Sequence, residues 1–467
     1  MKITMVGGGA LRVLGILRGA MAIPGVLDGG EIYLYDLDVS RAEAMGRMLL
    51  KTPEQKRAGC GIRWGDQLEE ALTGAAGVGM ILPASRAKSF ESGFAPSLDR
   101  GFISSDNVSP NGAVSAVKIA PVMMNIARMM ERCCPEAWLI NFVNPVAVLS
   151  GMVNNHTTIR AMGVCGGFTN HLWDISRIFG RDEEARQLNV ECAGINHLSY
   201  VVKGTWEGEE LFEALKRRMA GGWEMCELQP WWSEYSKKII RNSMRKLTRI
   251  WQDLGVLIFS TEGDGLAHLM YDESVEESRA QHQRRTGAEL DEALRKSREG
   301  RLETDRKFQA WLTRDLDDAF WENQWRDDPI FKRQDEDIFV QIFAALAGVK
   351  EAKIATSRPN RGAVAGIKDR HVVEYSQYLF KDKIRPVSER PYDIPDVVHG
   401  LTASLAAHQT LLGDALATEG DPKMLALALM SYPVKPYSKD LRALYKELFS
   451  IAGDEIRPGY SRAADYF

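Results

Sequence analysis

The chain has 467 residues, of which 45% are apolar and 26% are charged. This length suits two or three domains, and the composition excludes a wholly disordered or fibrous chain. Lys and Arg total 59 against 63 Asp and Glu, giving a net charge of −4. Such a balance gives no general electrostatic reason to bind nucleic acid or an acidic membrane. The 6 cysteines are too sparse for a disulfide framework.

The N-terminus and the apolar runs bear on the compartment. MKITMVGGG leads into a short apolar strand and a glycine turn, without the apolar core and cleavage site of a signal peptide. The longest apolar runs, such as AWLINFVNPVAVL, are broken by Asn and Pro and are too short to span a bilayer. We therefore expect a cytoplasmic protein with neither a membrane nor nucleic acid among its partners.

Strand and helix patterns alternate along the N-terminal part of the chain. The predicted elements are strands at 2–6 and 31–35, helices at 11–22, 40–50 and 113–130, and short apolar runs at 77–82 and 137–142. This alternation predicts an α/β fold with a Rossmann-like, doubly wound parallel sheet over residues 1–160. Ligands of such a sheet bind at the carboxyl ends of its strands.

A glycine turn, Gly7-Gly8-Gly9-Ala10-Leu11-Arg12, follows the first strand and opens the first helix. Glycines allow close backbone approach, so amides at the helix N-terminus can face a pyrophosphate. Arg12 replaces the third glycine of GxGxxG, but Asp36 ends the second strand, where an NAD site has its ribose carboxylate. Asp36 favours NAD over NADP, whereas Arg41 weakens that preference. The predicted NAD contacts are Gly7, Gly8, Gly9, Leu11, Arg12, Asp36, Arg41 and Asn141. The alternative is an ordinary glycine turn without a dinucleotide.

A second group of polar residues comes after the nucleotide part. Asn141 and Asn144 follow a strand, Cys165 lies in GVCGG, and Asn196-His197 lie in AGINHLSY. Cys, His and Asn side chains suit a divalent metal or sugar hydroxyls. A lone buried Cys, however, is usually a small hydrophobe, and spacing by itself leaves both interpretations open.

Several motifs in order and spacing resemble glycoside hydrolase family 4. They are VGGGALR, YDLDVSRAE, the segment from SSDNVSPNG to NFVNPVAVL, GVCGG and GINHLS. The resemblance is good to about residue 205 and continues more weakly through EGDGLAH at 262–268 and RPNRGAVAGIKDRHVVE at 358–374. This family contains NAD- and metal-dependent glycosidases, including 6-phospho-glucosidases, α-glucosidases and α-galacturonidases.

The resemblance implies a hydrolysis that is redox neutral overall. The sugar C3 hydroxyl is oxidised by NAD, a base removes the acidified C2 proton, the aglycone leaves C1, water adds, and the hydride returns to C3. A divalent metal, for which we expect Mn²⁺, stabilises the enolate. The resemblance implies Cys165 and His197 as metal ligands, Asn144 as a substrate-binding residue and Asp106 as a catalytic acidic residue near the sugar. We add Asn196 as a substrate-binding residue.

The chain also departs from the family pattern. The departures are Gly166 in place of a His, Asp or Asn tied to aglycone protonation, Ser105-Asp106-Asn107 in place of QET or GDT, Asn111 in place of a glycine, Lys118 in place of an Arg, and Gly263-Asp264-Gly265 with a displaced His268 in place of GDRH. They indicate a divergent member and leave open whether the metal is retained.

The general base is predicted as Asp264 or Tyr271, because the family draws its base from a Tyr or Asp of the second half. Tyr200 and Tyr235 are the alternatives. For Asp264 itself, the other interpretation is a loop carboxylate without a catalytic role.

Residues 161–467 are predicted to form a mainly helical α+β domain for substrate, metal and oligomerisation. A charged helical insertion at about 278–325, which includes Arg284 and Arg285, is interpreted as a solvated face or a subunit contact. Arg358 and Arg361 flank a turn and are predicted to clamp an anionic sugar substituent, the alternative being surface charge. We expect a homodimer or homotetramer.

These patterns favour an NAD-dependent glycosidase acting on a small glycoside, with phosphate, carboxylate or sulfonate at C6 as options. One alternative is an NAD-dependent dehydrogenase of a sugar or hydroxy acid that releases NADH. Another, suggested by Gly166 and the altered GDRH segment, is a nucleotide-dependent sensor without catalysis.

Overall fold

The computed structural model describes residues 1–260, 263–282, 288–418 and 421–467. Arg284 and Arg285 of the charged insertion, and Glu262 of the EGDGLAH motif, lie outside the described residues. Within the described ranges, all of the strands join one mixed sheet.

The strands account for both the predicted parallel sheet and an antiparallel extension of it. In chain order they are β1 (Lys2–Val6), β2 (Glu31–Tyr35), β3 (Gly61–Gly65), β4 (Gly77–Met80), β5 (Trp138–Asn141), β6 (Arg160–Gly163), β7 (Leu188–Ile195), β8 (Leu198–Trp206), β9 (Glu209–Glu210), β10 (Ala352–Pro359), β11 (Val372–Leu379) and β12 (Ile384–Pro386).

The order of the strands confirms the predicted fold class. The first half runs β3-β2-β1-β4-β5-β6 with every pair parallel, the arrangement of a doubly wound nucleotide-binding sheet. The sheet continues as β10-β11-β7-β8-β9 with antiparallel pairs, and β12 pairs with β11. It therefore crosses residue 160 without a break, and the domain boundary placed there stays a prediction.

Helices connect the parallel strands and make up most of the second half. They are α1 (Leu11–Ala22), α2 (Val39–Leu50), α3 (Pro53–Ala58), α4 (Leu68–Leu72), α5 (Ala87–Ser92), α6 (Phe94–Asp99), α7 (Pro110–Cys133), α8 (Val146–His156), α9 (Phe168–Ile178), α10 (Leu211–Ala220), α11 (Glu234–Leu254), α12 (Gly263–Leu269), α13 (Tyr271–His282), α14 (Ala288–Leu312), α15 (Asp318–Asp327), α16 (Ile338–Leu346), α17 (Asp396–Ala417), α18 (Pro422–Met430), α19 (Lys439–Ala452) and α20 (Pro458–Ser461). Short 3₁₀ turns lie at Pro329–Phe331, Gly453–Glu455 and Arg462–Tyr466.

Two hydrophobic cores cover the faces of the sheet. One contains the buried sides of α1, α2 and α16, and the other contains those of α7, α8 and α17. Helix α7 is long and apolar enough to cross a membrane by length and composition, but 72% of its apolar window is buried inside the protein. Such burial is typical of a core helix.

Aromatic side chains anchor the charged insertion to the first of these cores. Phe308 of α14 is buried and stacks on Phe331 with ring centroids 5.8 Å apart, and Trp321 and Trp325 of α15 stack on each other at 5.4 Å. These rings share a core cluster with α1 and α16. The insertion is therefore packed against the nucleotide-binding part of the molecule, and its exposed charges lie on the outer side.

Candidate active site

Polar residues from distant parts of the sequence meet at the carboxyl edge of the parallel strands. The glycine turn follows β1, Asn144 follows β5 and Cys165 follows β6. Asn196 and His197 form the tight turn between β7 and β8, and this hairpin belongs to the antiparallel extension. The sheet as a whole thus unites the nucleotide turn with the predicted metal and sugar residues.

The glycine turn is built for close approach to a dinucleotide. The N–H groups of Gly7 and Gly8 both donate to the Tyr35 carbonyl at 2.9 Å, and the Gly9 N–H donates to Asp36 Oδ2 at 2.9 Å. Ala10 precedes α1 without a side-chain cap, so the first amides of the helix, at Leu11 and Arg12, are open to an anion. These features fit the predicted diphosphate of NAD.

Arg12 fills the space beside Gly166. Its guanidinium pairs with Asp337 at 2.6 Å and stacks on the Phe142 ring at 4.6 Å. A Cβ at position 166 would lie 2.7 Å from that ring and 3.0 Å from Arg12 Nη1. The arginine at 12, which replaces the third glycine of GxGxxG, and the glycine at 166, which departs from the family pattern, are therefore sterically coupled.

Asn141 needs a corrected role. It is fully buried, its Nδ2 donates to Ser150 Oγ at 3.1 Å and to the Val143 carbonyl at 3.2 Å, and its Oδ1 accepts from the Val143 N–H at 2.9 Å. Because these bonds occupy both ends of the amide, Asn141 supports the loop that presents Asn144, in place of the cofactor contact we predicted.

Cys165 and His197, the predicted metal ligands, lie together. Cys165 Sγ is 3.9 Å from His197 Nε2, and the Gly167 N–H donates to the sulfur at 3.3 Å. His171, which the sequence reasoning missed, has its Nε2 at 3.9 Å from the same sulfur. Within the described ranges no three His, Cys, Asp or Glu side chains form a ready-made metal site. Cys165 and His197 therefore fit an open site whose remaining positions take water or substrate.

Asp264 holds His197 in orientation. Its Oδ1 lies 2.8 Å from His197 Nδ1, and its Oδ2 accepts from Ser105 Oγ at 2.8 Å and from the Val108 N–H at 3.1 Å. Burial acts to raise the pKa of Asp264, but the charge and hydrogen bond of His197, with the other donors, outweigh it and lower that pKa. An ionised carboxylate with both oxygens occupied is a poor base, so this geometry corrects our assignment of Asp264 as general base to that of a positioning residue.

The pKa of Asp264 makes stability depend on pH. Because the folded pKa is below its ordinary value of 3.8, the stabilisation is fully present above about pH 4 and is lost as the pH falls through the folded pKa. We expect Asp264→Asn to be less stable than wild type at neutral pH, and the difference to shrink as the pH falls below 3.8. Urea unfolding of both proteins across this range measures it. A difference that stayed constant with pH would contradict the lowered pKa.

Gly265 permits the approach of Asp264 to His197. A Cβ at position 265 would lie only 1.4 Å from the His197 carbonyl oxygen, whereas none of the described atoms lies within 4 Å of a Cβ at Gly263 in the same helix. We expect Gly265→Ala to destabilise the fold by about 1–3 kcal/mol and to weaken metal binding, since α12 must move away. Gly263→Ala is the matched control and should change neither property. Equal unfolding free energies for the two variants would contradict this account.

A network of carboxylates and amides extends from the surface to the interior. Asn144 Nδ2 donates to Asp106 Oδ2 at 2.9 Å, and Asn107 Nδ2 donates to Asn144 Oδ1 at 3.2 Å and Asn196 Oδ1 at 2.6 Å. Asn196 Nδ2 in turn donates to the buried Glu374 at 2.7 Å. Asp106 is exposed, so this predicted catalytic residue lies at the open end of the network, and the predicted Asn144 and Asn196 lie within it.

Asn107 and Glu374 were not predicted to be site residues. Glu374 also accepts from Ser199 Oγ at 3.0 Å and Ser260 Oγ at 3.3 Å. These bonds hold Glu374 in the position from which it accepts from Asn196. Asn107 is 3% exposed, and its Oδ1 has no hydrogen-bond partner among the described residues. A buried acceptor without a donor is costly, and this one suits a sugar hydroxyl. The departure from the family at 107 was the available signal.

The candidate tyrosine bases differ in their burial. Tyr271 is mostly buried, and burial raises its pKa to about 12, although its hydroxyl accepts from the Ile103 N–H at 3.2 Å. Tyr200 is fully buried against Thr402, and burial raises its pKa. Tyr235 lies on the surface, 67% exposed. The burial of Tyr271 disagrees with its predicted catalytic role. Among the predicted catalytic residues, the exposed Asp106 is therefore favoured.

Arg358 and Arg361 lie at the opposite edge of the sheet, which corrects the predicted sugar clamp. Arg358 sits over the ring of Trp138, at the amino end of β5, at 5.3 Å. Arg361 lies in the turn between β10 and β11. In the same turn the Arg370 carbonyl accepts a hydrogen bond from Asn155, which lies at the end of α8 remote from the carboxyl edge. Because β10 runs antiparallel to β6, residues beyond Ser357 move away from the carboxyl edge.

Comparison with known proteins identifies relatives of this chain. It is 24% identical to an alpha-galacturonidase of Thermoanaerobacter italicus over 473 residues, which cover 98% of this chain and 97% of that protein. It is also 27% identical to an alpha-galactosidase of Bacillus subtilis over 227 residues, about half of either chain.

The fold is shared with solved glycosidase structures. A 6-phospho-alpha-glucosidase from gut microorganisms, in complex with NAD and glucose-6-phosphate, has a TM-score of 0.76 at 16% identity, covering 98% of this chain and 99% of that one. A 6-phospho-beta glucosidase from Thermotoga maritima, with manganese, NAD⁺ and glucose-6-phosphate, has a TM-score of 0.72 at 16% identity, covering 98% and 100%. At these identities the likeness establishes the fold.

Family models decide the assignment. The model of family 4 glycosyl hydrolases matches residues 2–178, and the model of the family 4 glycosyl hydrolase C-terminal domain matches residues 192–434. Together they span most of the chain, including every residue of the site described above. The protein belongs to family 4 of the glycosyl hydrolases.

Proposed function

We propose that this protein hydrolyses a small glycoside by transient oxidation at C3, removal of the C2 proton, elimination of the aglycone and addition of water. The observation that carries the proposal is the convergence of Cys165, His197 and the Asp106–Asn144 pair at the same sheet edge as the dinucleotide turn. A simple glycosidase with two carboxylates has no use for that turn.

Two groups that the chain would hold supply chemistry that side chains lack. NAD, at the turn of Gly7, Gly8 and Gly9, supplies a hydride acceptor and donor for C3, and a divalent metal on Cys165 and His197, for which we propose Mn²⁺, supplies a Lewis acid for the sugar oxygens. The chain's own residues determine how the sugar is held and where the proton goes.

The side chains around this edge divide the remaining work. Asn144 and Asn107 hold the sugar hydroxyls, and the unpartnered Oδ1 of Asn107 accepts from one of them. Asn196, predicted to bind substrate, is fully buried with both ends of its amide bonded to Asn107 and Glu374, so it positions Asn107 instead. Asp106, exposed and fixed by Asn144, takes the proton from C2, for which a base of modest strength suffices when the adjacent carbon is a ketone. Asp264 keeps His197 Nε2 facing Cys165.

We propose that the sugar is neutral or carries an anionic group at C6. An alpha-galacturonidase is among the relatives that match nearly the whole chain, and this supports a C6 carboxylate as one option beside phosphate and sulfonate. The predicted arginine clamp does not contribute to binding of this group, because Arg358 and Arg361 lie at the other edge of the sheet.

We also propose a homodimer or homotetramer in the cytoplasm. Trp231, Tyr235 and Ile239 are 66%, 67% and 50% exposed. Tyr235 and Ile239, four residues apart, lie on one side of the start of α11, and Trp231 lies in the turn just before that helix. An exposed apolar stripe of this kind supports a subunit contact. Analytical ultracentrifugation of wild type and of the double variant Trp231→Ser/Tyr235→Ser tests whether these residues form the subunit contact.

The decisive experiment supplies NAD and Mn²⁺ in D₂O with neutral, 6-phospho, uronic and 6-sulfo glycosides, and follows released sugars by mass spectrometry. A released sugar with one deuterium at C2 is the expected result and also names the substrate class. Release without deuterium contradicts proton removal at C2 by a base that exchanges with solvent. NADH accumulating without released sugar favours the dehydrogenase alternative. Tight NAD binding with no turnover on any glycoside favours the sensor.

A further inference from the structure

Helix α14, part of the charged insertion, lies directly on the nucleotide-binding turn. Its Arg301 donates from Nη2 to the carbonyl oxygen of Gly9 at 2.8 Å, although 292 positions separate the two residues. The helix packs along α2, and Phe308 fixes it in the core beside α1. The insertion therefore places a cation where the turn meets the adenosine side of a dinucleotide.

Within the described part of the chain, the guanidinium of Arg301 has two polar partners, which leave some of its N–H donors without a hydrogen bond. It pairs with Asp305 at 3.0 Å, and Asp305 also pairs with Arg41 at 3.1 Å, so two arginines share one carboxylate beside the turn. Arg41 pairs further with Asp38 at 3.4 Å. A guanidinium has five N–H donors, and among the described residues Gly9 and Asp305 are the polar partners of Arg301. Donors therefore remain for an anion.

The surroundings point to a phosphate-bearing ligand and not to a structural pair. The Arg301 side chain is 23% exposed, and burial lowers its pKa, so a further anion beside the shared Asp305 would stabilise its charge. A cleft of about 430 Å³ between α2 and α14 is lined by Asp305, the partner of Arg301, together with Arg41 and Arg306, although Arg301 itself does not line it. Asp36, the predicted ribose carboxylate at the end of β2, accepts from the Gly9 N–H.

We propose that Arg301 binds the diphosphate of the dinucleotide and that α14 covers its adenosine half. This inference rests on the proposed use of NAD, and it gives the charged insertion a function in cofactor retention. Charge-assisted bonds from guanidinium to phosphate are short and strong, and Arg301 reaches the turn from a segment that the nucleotide fold itself does not contain.

Titration calorimetry of the full chain with NAD, ADP-ribose, ADP and adenosine tests the proposal. Arg301→Ala is expected to weaken NAD, ADP-ribose and ADP by a common factor of about 10- to 100-fold, while adenosine, which lacks phosphate, binds as to wild type. Arg301→Lys keeps the charge and should recover part of the loss. Arg295→Ala is the matched control, because it removes an exposed arginine of the same helix that pairs with Glu292 and Glu299.

Three results would overturn the inference. If Arg301→Ala binds NAD within twofold of the Arg295→Ala control, the guanidinium does not contact the diphosphate. If adenosine weakens as much as ADP, the variant has disturbed the pocket and not a phosphate contact. If wild type binds neither NAD nor its fragments, the proposed function and the inference both fail. If wild type binds NAD and Arg301→Ala binds it equally well, only the inference fails.

Discussion

Replacement of Asp106 by Asn is expected to lower kcat by about 10²- to 10⁴-fold with little change in KM. An amide can still accept from Asn144 Nδ2, which lies 2.9 Å from the carboxylate, so the network keeps its shape while the base is lost. In the proposed mechanism, oxidation at C3 precedes the step that needs the base. The variant should therefore form NADH on mixing with substrate, without deuterium exchange at C2 in D₂O.

The control for this variant is Asp99→Asn, which removes a charge from an exposed residue at the end of α6. It should hydrolyse substrate and exchange deuterium as wild type does. If Asp106→Asn keeps more than about one tenth of the wild-type rate, a factor too small for loss of a general base, another group takes the proton and the role proposed for Asp106 is wrong.

Replacement of Cys165 by Ser is expected to abolish productive metal binding. The sulfur lies 3.9 Å from His197 Nε2 and accepts from the Gly167 N–H, and a hydroxyl is a far weaker metal ligand than a thiolate. We expect an apparent metal dissociation constant higher by more than about 100-fold, beyond the effect of removing a supporting residue, with loss of turnover. Co²⁺ gives a readout independent of activity, because thiolate coordination produces a near-ultraviolet charge-transfer band that the variant should lack.

Cys133→Ser is the matched control, since Cys133 is a half-buried free thiol at the end of α7. It should retain the cobalt band, and both variants should bind NAD as wild type does, because neither residue belongs to the glycine turn. An unchanged band in Cys165→Ser would show that the thiol is not a ligand. An absent band in wild type would show that no metal binds through cysteine.

Local patterns were sufficient where the chain's own periodicity decides the structure. The predicted strands at 2–6 and 31–35 and the helix at 11–22 coincide with β1, β2 and α1. Each is an almost continuously buried run, and length separates the short strands from the longer helix. Strand β3 was missed, since the sequence GIRWG is only partly buried at the sheet edge. The glycine turn and the motifs around Cys165 and His197 were likewise local signals.

Most of the corrected roles depend on a distant partner, Asn141 with its local bonds being the exception. Asp264 is a base candidate by resemblance to the family, but its contact with His197 joins α12 to the β7–β8 turn, which no spacing predicts. Arg358 and Arg361 were assigned to the sugar because two cations flank a turn. The antiparallel direction of β10 carries them to the opposite edge.

The amino-acid sequence was sufficient to predict the doubly wound sheet and the dinucleotide turn, and it singled out Asn144, Cys165, Asn196 and His197, because each of these residues lies in a short motif next to a strand end. Asp106, in the loop before α7, was added by the family resemblance. The three-dimensional fold was needed to show which of these residues touch, that Asn107 and Glu374 complete the amide network, and that Arg301 reaches the Gly9 carbonyl. Strand ends follow from the local hydrophobic pattern, whereas side-chain contacts depend on the direction and packing of elements far apart in the chain.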